Sequence, residues 1–137
     1  MYAFDGEKGD ERMQKMLVIG IVGFIGSNLR YWISYLVNSN FKSHNFWGTL
    51  TVNIIGCLII GALMSYHLNM AEIESNMKIL VVTGLLGALT TFSTFSFETV
   101  ELIQDARMHL AVANVLMNVF FGLGAVFIGF EAVKRLA

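Results

Sequence analysis

The stretch ILVVTGLLGALTTFSTFSF, residues 79–97, decides the fold. Its first half is apolar enough to sit in hydrocarbon. Its second half mixes hydroxyls with phenylalanines and carries no charge. A run of about 20 residues at 1.5 Å each crosses a bilayer core. Three further runs of the same kind lie around it, at about 16–37, 46–66 and 110–130. Lipid offers backbone amides no hydrogen bonds, and a helix satisfies its own. The expected fold is therefore an all-α integral membrane protein with four transmembrane helices.

Composition agrees. Of 137 residues, 55% are hydrophobic and only 14% are charged, against about 25% in an ordinary soluble domain. The length fits one domain: a polar amino-terminal tail at 1–15, then a four-helix membrane unit at 16–137. The tail, with Asp5, Glu7, Asp10 and Glu11, reads as short and disordered. It is not a signal peptide, because the apolar run after it is too long and lacks a small-residue cleavage pattern. Met13 or Met16 are also possible starts. A net charge of −1 argues against a nucleic-acid partner, which calls for a basic patch. One cysteine, Cys57, excludes an intrachain disulfide and a thiolate zinc cluster. His44, His67 and His109 lie in connectors or at span edges, far apart, so no histidine metal site is expected. No nucleophile–base pair or phosphate loop is present, which argues against an enzyme.

Four spans with short connectors place both termini on one side. Lys8, Arg12, Lys15, Lys78, Lys134 and Arg135 fall on that side, and Arg30, Lys42 and Arg107 on or near the other. The excess favours cytoplasmic termini by the positive-inside rule. A start at Met13 removes Lys8 and Arg12 and nearly abolishes it. Tyr31, Trp32, Tyr35, Phe46 and Trp47 sit where an aromatic belt belongs.

Polar residues inside spans need a partner or a water-filled path. They are Thr49, Thr51 and Asn53 in the second span, then Thr83, Thr90, Thr91, Ser93, Thr94 and Ser96 in the third. The fourth has Asn114 and Asn118, four apart and so on one helix face. None is ionisable; the nearest acids, Glu98 and Glu101, are read as lying near the end of the third span. Such groups either bond neighbouring helices together or, as uncharged donors, line a route for a small anion. Both readings stay open. Phe92 and Phe95, three apart, share a face; they either pack or turn the positive rims of their rings toward an anion. Arg30 either snorkels to the interface or sits at a mouth.

Within 79–97, glycines and β-branched threonines weaken the helix, and repeated hydroxyls compete for its carbonyls. A break is expected near Gly87 to Thr91. In a membrane a break survives only in a protein interior or against a cavity, where its carbonyls can hold a cation.

Three segments then carry a resemblance. Gly23-Phe-Ile-Gly26-Ser-Asn-Leu-Arg30-Tyr31, Gly48-Thr49-Leu-Thr-Val-Asn53-Ile-Ile-Gly56 and Gly87-Ala-Leu-Thr90-Thr91-Phe92-Ser93-Thr94-Phe95-Ser96 occur in order, one per span, with Glu98 following. Together they resemble the Fluc/CrcB family of fluoride-specific ion channels along nearly all of the membrane portion. Two departures stand out: Phe46-Trp47 where a proline often precedes Gly-Thr, and Ala88 where a second glycine commonly follows Gly87.

The resemblance implies a multi-pass protein of the cell membrane that lets fluoride leave passively and so confers fluoride resistance. It implies an antiparallel, dual-topology dimer, either of this chain with itself or with a paralogue, enclosing two pores. The implied fluoride pathway uses Asn53, Phe92, Phe95, Thr94, Asn114, Asn118 and Arg30. Backbone carbonyls of Gly87 and Thr90 from both subunits would hold a structural Na⁺ that is not transported. Two rivals remain. A proton-coupled four-helix exporter of organic cations needs an embedded carboxylate, typically in the first span, where none exists. A non-transporting membrane subunit does not need the row of uncharged donors.

Overall fold

The computed structural model describes residues 9–41, 46–69 and 78–136. Lys42, His44, Glu72, Glu74 and residues 1–8 of the expected tail lie outside the described residues. All regular structure among them is helical: α1 (Gly9–Asn40), α2 (Phe46–Asn69), α3 (Ile79–Leu86), α4 (Gly87–Leu89), α5 (Phe92–Gln104) and α6 (Met108–Lys134). Four stretches are long and apolar enough to cross a membrane: Glu11–Asn40, Phe46–Tyr66, Ile79–Gln104 and Met108–Lys134.

The first helix corrects the expected boundary, since residues 9–15 are helical and continuous with the span. The physical reason is local. Glu11 lies within this helical extension. It precedes Lys15 by four residues, the spacing of a helix-stabilising pair.

Helices α2 and α6 run in the same direction and form the tightest contact in the molecule. Asn53 meets Asn118, Cys57 meets Gly122 and Gly61 meets Val126, a register that repeats every four residues. Glycine makes this possible. A Cβ on Gly61 would collide with the Val126 carbonyl, and one on Gly129 with the Leu58 carbonyl. Small residues at such crossings let backbones approach where no hydrophobic effect draws helices together.

Two apolar clusters set the remaining elements. Phe46, Leu102 and Ala111 join the starts of α2 and α6 to the end of α5. Val52, Leu86 and Leu89 join the middle of α2 to α3 and α4. At the turn after α5, Ala106 takes a left-handed backbone (φ 58°), and Arg107 N–H bonds the Leu102 carbonyl at 2.8 Å. This is the six-to-one bond of a helix-ending turn, and it reverses the chain into α6 within three residues.

Candidate functional site

The third span winds unevenly. α3 is a π-type helix, wider than an α-helix, followed by the single turn α4. Thr90 (φ −84°, ψ 158°) and Thr91 (φ −153°, ψ 120°) then take extended backbone before α5 begins at Phe92. The local sequence supplies both ends. Thr90 sends its N–H (2.9 Å) and its hydroxyl (2.8 Å) to the Leu86 carbonyl, closing the upstream segment. Thr91 Oγ1 accepts from Thr94 N–H at 3.1 Å, the N-cap bond that starts α5.

α2 presents a complementary surface. The Asn53 amide grips Thr91 at two points: Oδ1 accepts from Thr91 N–H at 2.9 Å, and Nδ2 donates to the Thr91 carbonyl at 3.3 Å. One turn along, Gly56 lacks the Cβ that would collide with the Thr90 side chain. Asn53 and Gly56, three apart on one helix face, thus receive the extended pair. Two carbonyls lose their usual donors as a result. In a regular α-helix Thr91 N–H would bond Gly87 O, and Thr94 N–H would bond Thr90 O. Both N–H groups are diverted here to side chains.

From Asn53 a file of hydrogen bonds continues through α6 back to α5. Asn53 Nδ2 donates to Asn118 Oδ1 at 3.0 Å, and Asn118 Nδ2 to Asn114 Oδ1 at 3.0 Å. Asn114 Nδ2 donates to Thr99 Oγ1 at 3.0 Å, and Thr99 donates to the Phe95 carbonyl at 2.8 Å. Every donor points the same way along the file. Polar groups of the second, third and fourth spans therefore meet, and their bonds do tie helices together. Thr51 and Ser96 stay apart from the file, each bonding a carbonyl of its own helix; Thr83 remains on the surface.

Two clefts lie on either side of Thr91. One, of about 720 Å³, is polar and contains Arg30, Thr49, Thr94, Glu98 and hydroxyls of α1. The other, of about 420 Å³, is mostly apolar and contains Asn53, Gly87, Thr90, Phe92, Phe95 and Asn118. Thr91 lines both. The Phe92 and Phe95 rings lie 5.5 Å apart between centroids and 51° from coplanar. Phe92 is 80% exposed on the surface of the chain. Asn114 is fully buried at 0% and is not among the residues lining these two clefts.

Glu98 corrects the reading that no ionisable group is embedded in a span. It is buried, and its Oε1 accepts from Thr49 Oγ1 at 2.7 Å while Oε2, also buried, has no partner among the described residues. The sequence signal was available: Glu98 lies six residues before the end of a helix that runs on to Gln104, not at its tip. Thr91 and Thr99 were also missed as connecting residues. A threonine directly preceding a helical run is an N-cap signal; nothing in the sequence marks Thr99 as the partner of Asn114.

Four helical stretches long and apolar enough to cross a membrane, folded around a shared file of half-buried to buried amides and hydroxyls beside two clefts, define a small multi-pass membrane protein. Residues 17–130 match the family described as CrcB-like protein, Camphor Resistance (CrcB). A protein of Clostridium perfringens (strain 13 / Type A), named Fluoride-specific ion channel FluC, is 43% identical over 127 residues, covering 90% of this chain and 99% of that one. Proteins of the same name from Oceanobacillus iheyensis (40% over 118 residues, 85% and 89% covered) and Methanococcus aeolicus (41% over 117 residues, 85% and 93% covered) are similar along nearly their whole length. This chain belongs to the CrcB family.

Proposed function

We propose that the chain is a subunit of a fluoride-specific channel that passes the anion down its electrochemical gradient and thereby lowers cytoplasmic fluoride. One observation carries this reading: the cleft holding Arg30 and the cleft holding Phe92, Phe95 and Asn53 share Thr91 as a lining residue. Arg30 draws an anion to the wide mouth. Thr94 offers a hydroxyl beyond it, its oxygen accepting from Thr91 Oγ1 at 3.0 Å. The rims of Phe92 and Phe95, positively polarised, then face the ion without binding it as tightly as a lysine. Asn118 and Asn114 brace Asn53 at the junction. Weak HF enters a cell neutral and releases its anion inside, and a passive pore returns that anion without ATP. A larger halide fits such a narrow set of donors less well.

The second subunit completes the route. Phe92 and the mouth of the polar cleft, with the charge of Arg30, are open at the subunit surface, and a charged group facing lipid is costly. A partner inserted in the opposite orientation, either a second copy or a paralogue, covers them. The span reads as broken at Thr90–Thr91, and the carbonyls of Gly87 and Thr90, released from their helical donors, suit a hard cation such as Na⁺. Held by these carbonyls, with those of a second subunit, a Na⁺ ion would supply a fixed positive charge at the break.

The test is fluoride efflux from proteoliposomes of the plasma-membrane lipids, with chloride as control. Fluoride-selective efflux is expected. Phe92→Ile and Phe95→Ile should each cut the rate by roughly tenfold, the equivalent of an aromatic-edge contact of about 1 kcal/mol, with the dimer still assembled. Unchanged rates in both variants would remove the ring-edge role, and vesicles as tight as empty ones would remove the channel.

A further inference from the structure

We propose that Asn53 is a positioning residue for the cation site: its amide, by capturing Thr91 N–H, is what makes the Gly87 carbonyl available to Na⁺. The inference rests on the cation reading given above and extends it to a side chain that reaches the site only through the backbone. Its basis is a competition for one donor. In a continuous helix Thr91 N–H belongs to Gly87 O. Asn53 Oδ1 takes it at 2.9 Å, and Asn53 Nδ2 returns a bond to the Thr91 carbonyl at 3.3 Å. This two-point grip copies the way a neighbouring strand holds an extended residue, so Thr91 is kept out of helical geometry.

The neighbours fix the amide in that role. Asn118 Oδ1 accepts from Asn53 Nδ2 at 3.0 Å, which orients the amide with its oxygen toward Thr91 N–H. Gly56 lets Thr90 lie against α2 at the same level. A second, parallel diversion serves the other carbonyl: Thr91 Oγ1 takes Thr94 N–H at 3.1 Å and so withdraws it from Thr90 O. Two side-chain acceptors thus each release one backbone oxygen. Since Asn53 also lines the cleft beside Phe95, the anion route and the cation site share a residue, and a change at one is felt at the other.

The experiment is thermal unfolding of the purified full-length protein across a Na⁺ titration, with K⁺ holding ionic strength constant. Wild type should gain stability with Na⁺; no gain would overturn the cation reading and this inference with it. Asn53→Ala should need about tenfold more Na⁺ for half the gain, the scale of one lost hydrogen bond. Asn53→Gln keeps both an amide acceptor and an amide donor and should recover most of the Na⁺ dependence lost in Asn53→Ala. A wild-type Na⁺ response in Asn53→Ala overturns the inference while leaving the cation site standing. Should Asn53→Ala not yield folded protein, Thr91→Ala and Thr91→Ser ask the same question of the Thr90 carbonyl. Thr91→Ala should need more Na⁺ and Thr91→Ser should not; equal responses overturn it.

Discussion

At the scale of single residues, the energetics turn on buried polar atoms whose partners are few. Glu98 accepts one hydroxyl bond from Thr49, and its second oxygen has no partner among the described residues. Thr49→Val, nearly isosteric, removes that bond and leaves the carboxylate alone. Thermal unfolding should show a loss of roughly 1–3 kcal/mol, and Thr49→Ser, which keeps the hydroxyl, should restore most of it. What the sequence disclosed at this scale was residue type and helix face: Asn114 and Asn118 share a face and bond at 3.0 Å, and Phe92 and Phe95 share another. Partnership across spans was not legible. Thr49 and Glu98, 49 positions apart in sequence, meet only because α2 and α5 are packed, and no local pattern encodes that meeting.

Among the elements, the crossing of α2 and α6 dominates, and it rests on missing side chains. Gly129→Ala would drive a Cβ into the Leu58 carbonyl, with the Ala62 amide only 2.9 Å away. Backbone cannot yield as a side-chain tip does, so a cost of about 1–3 kcal/mol is expected. Gly124 on the same helix has nothing within 4 Å of its would-be Cβ. Gly124→Ala should therefore be neutral or stabilise by up to about 1 kcal/mol through helix propensity. Comparing the two melting curves separates contact from propensity, and equal shifts would count against the close crossing. Span positions were legible because lipid demands length and apolarity together. The helicity of residues 9–15 was not: charge density there reads as a tail, whereas helix continuity and the Glu11–Lys15 spacing carry the winding seven residues further out.

At the scale of the whole molecule, one subunit leaves a hydroxyl-lined cleft and an 80% exposed Phe92 on its surface. The chain expressed alone should therefore cross-link as a dimer in membranes, with a reporter on the amino terminus accessible from both sides. A lone monomer under the same conditions would point instead to a paralogous partner. The polarity pattern made a multi-pass fold legible, but which faces stay uncovered depends on how the spans lean on each other. The first span reaches furthest. Its 32 residues make a rod of about 48 Å, well beyond a hydrocarbon slab of about 30 Å. The excess carries Glu11, Arg12 and Lys15, charges that hydrocarbon excludes, so these outer turns stand in the headgroup layer and fix how deep the rest of α1, Arg30 included, sits.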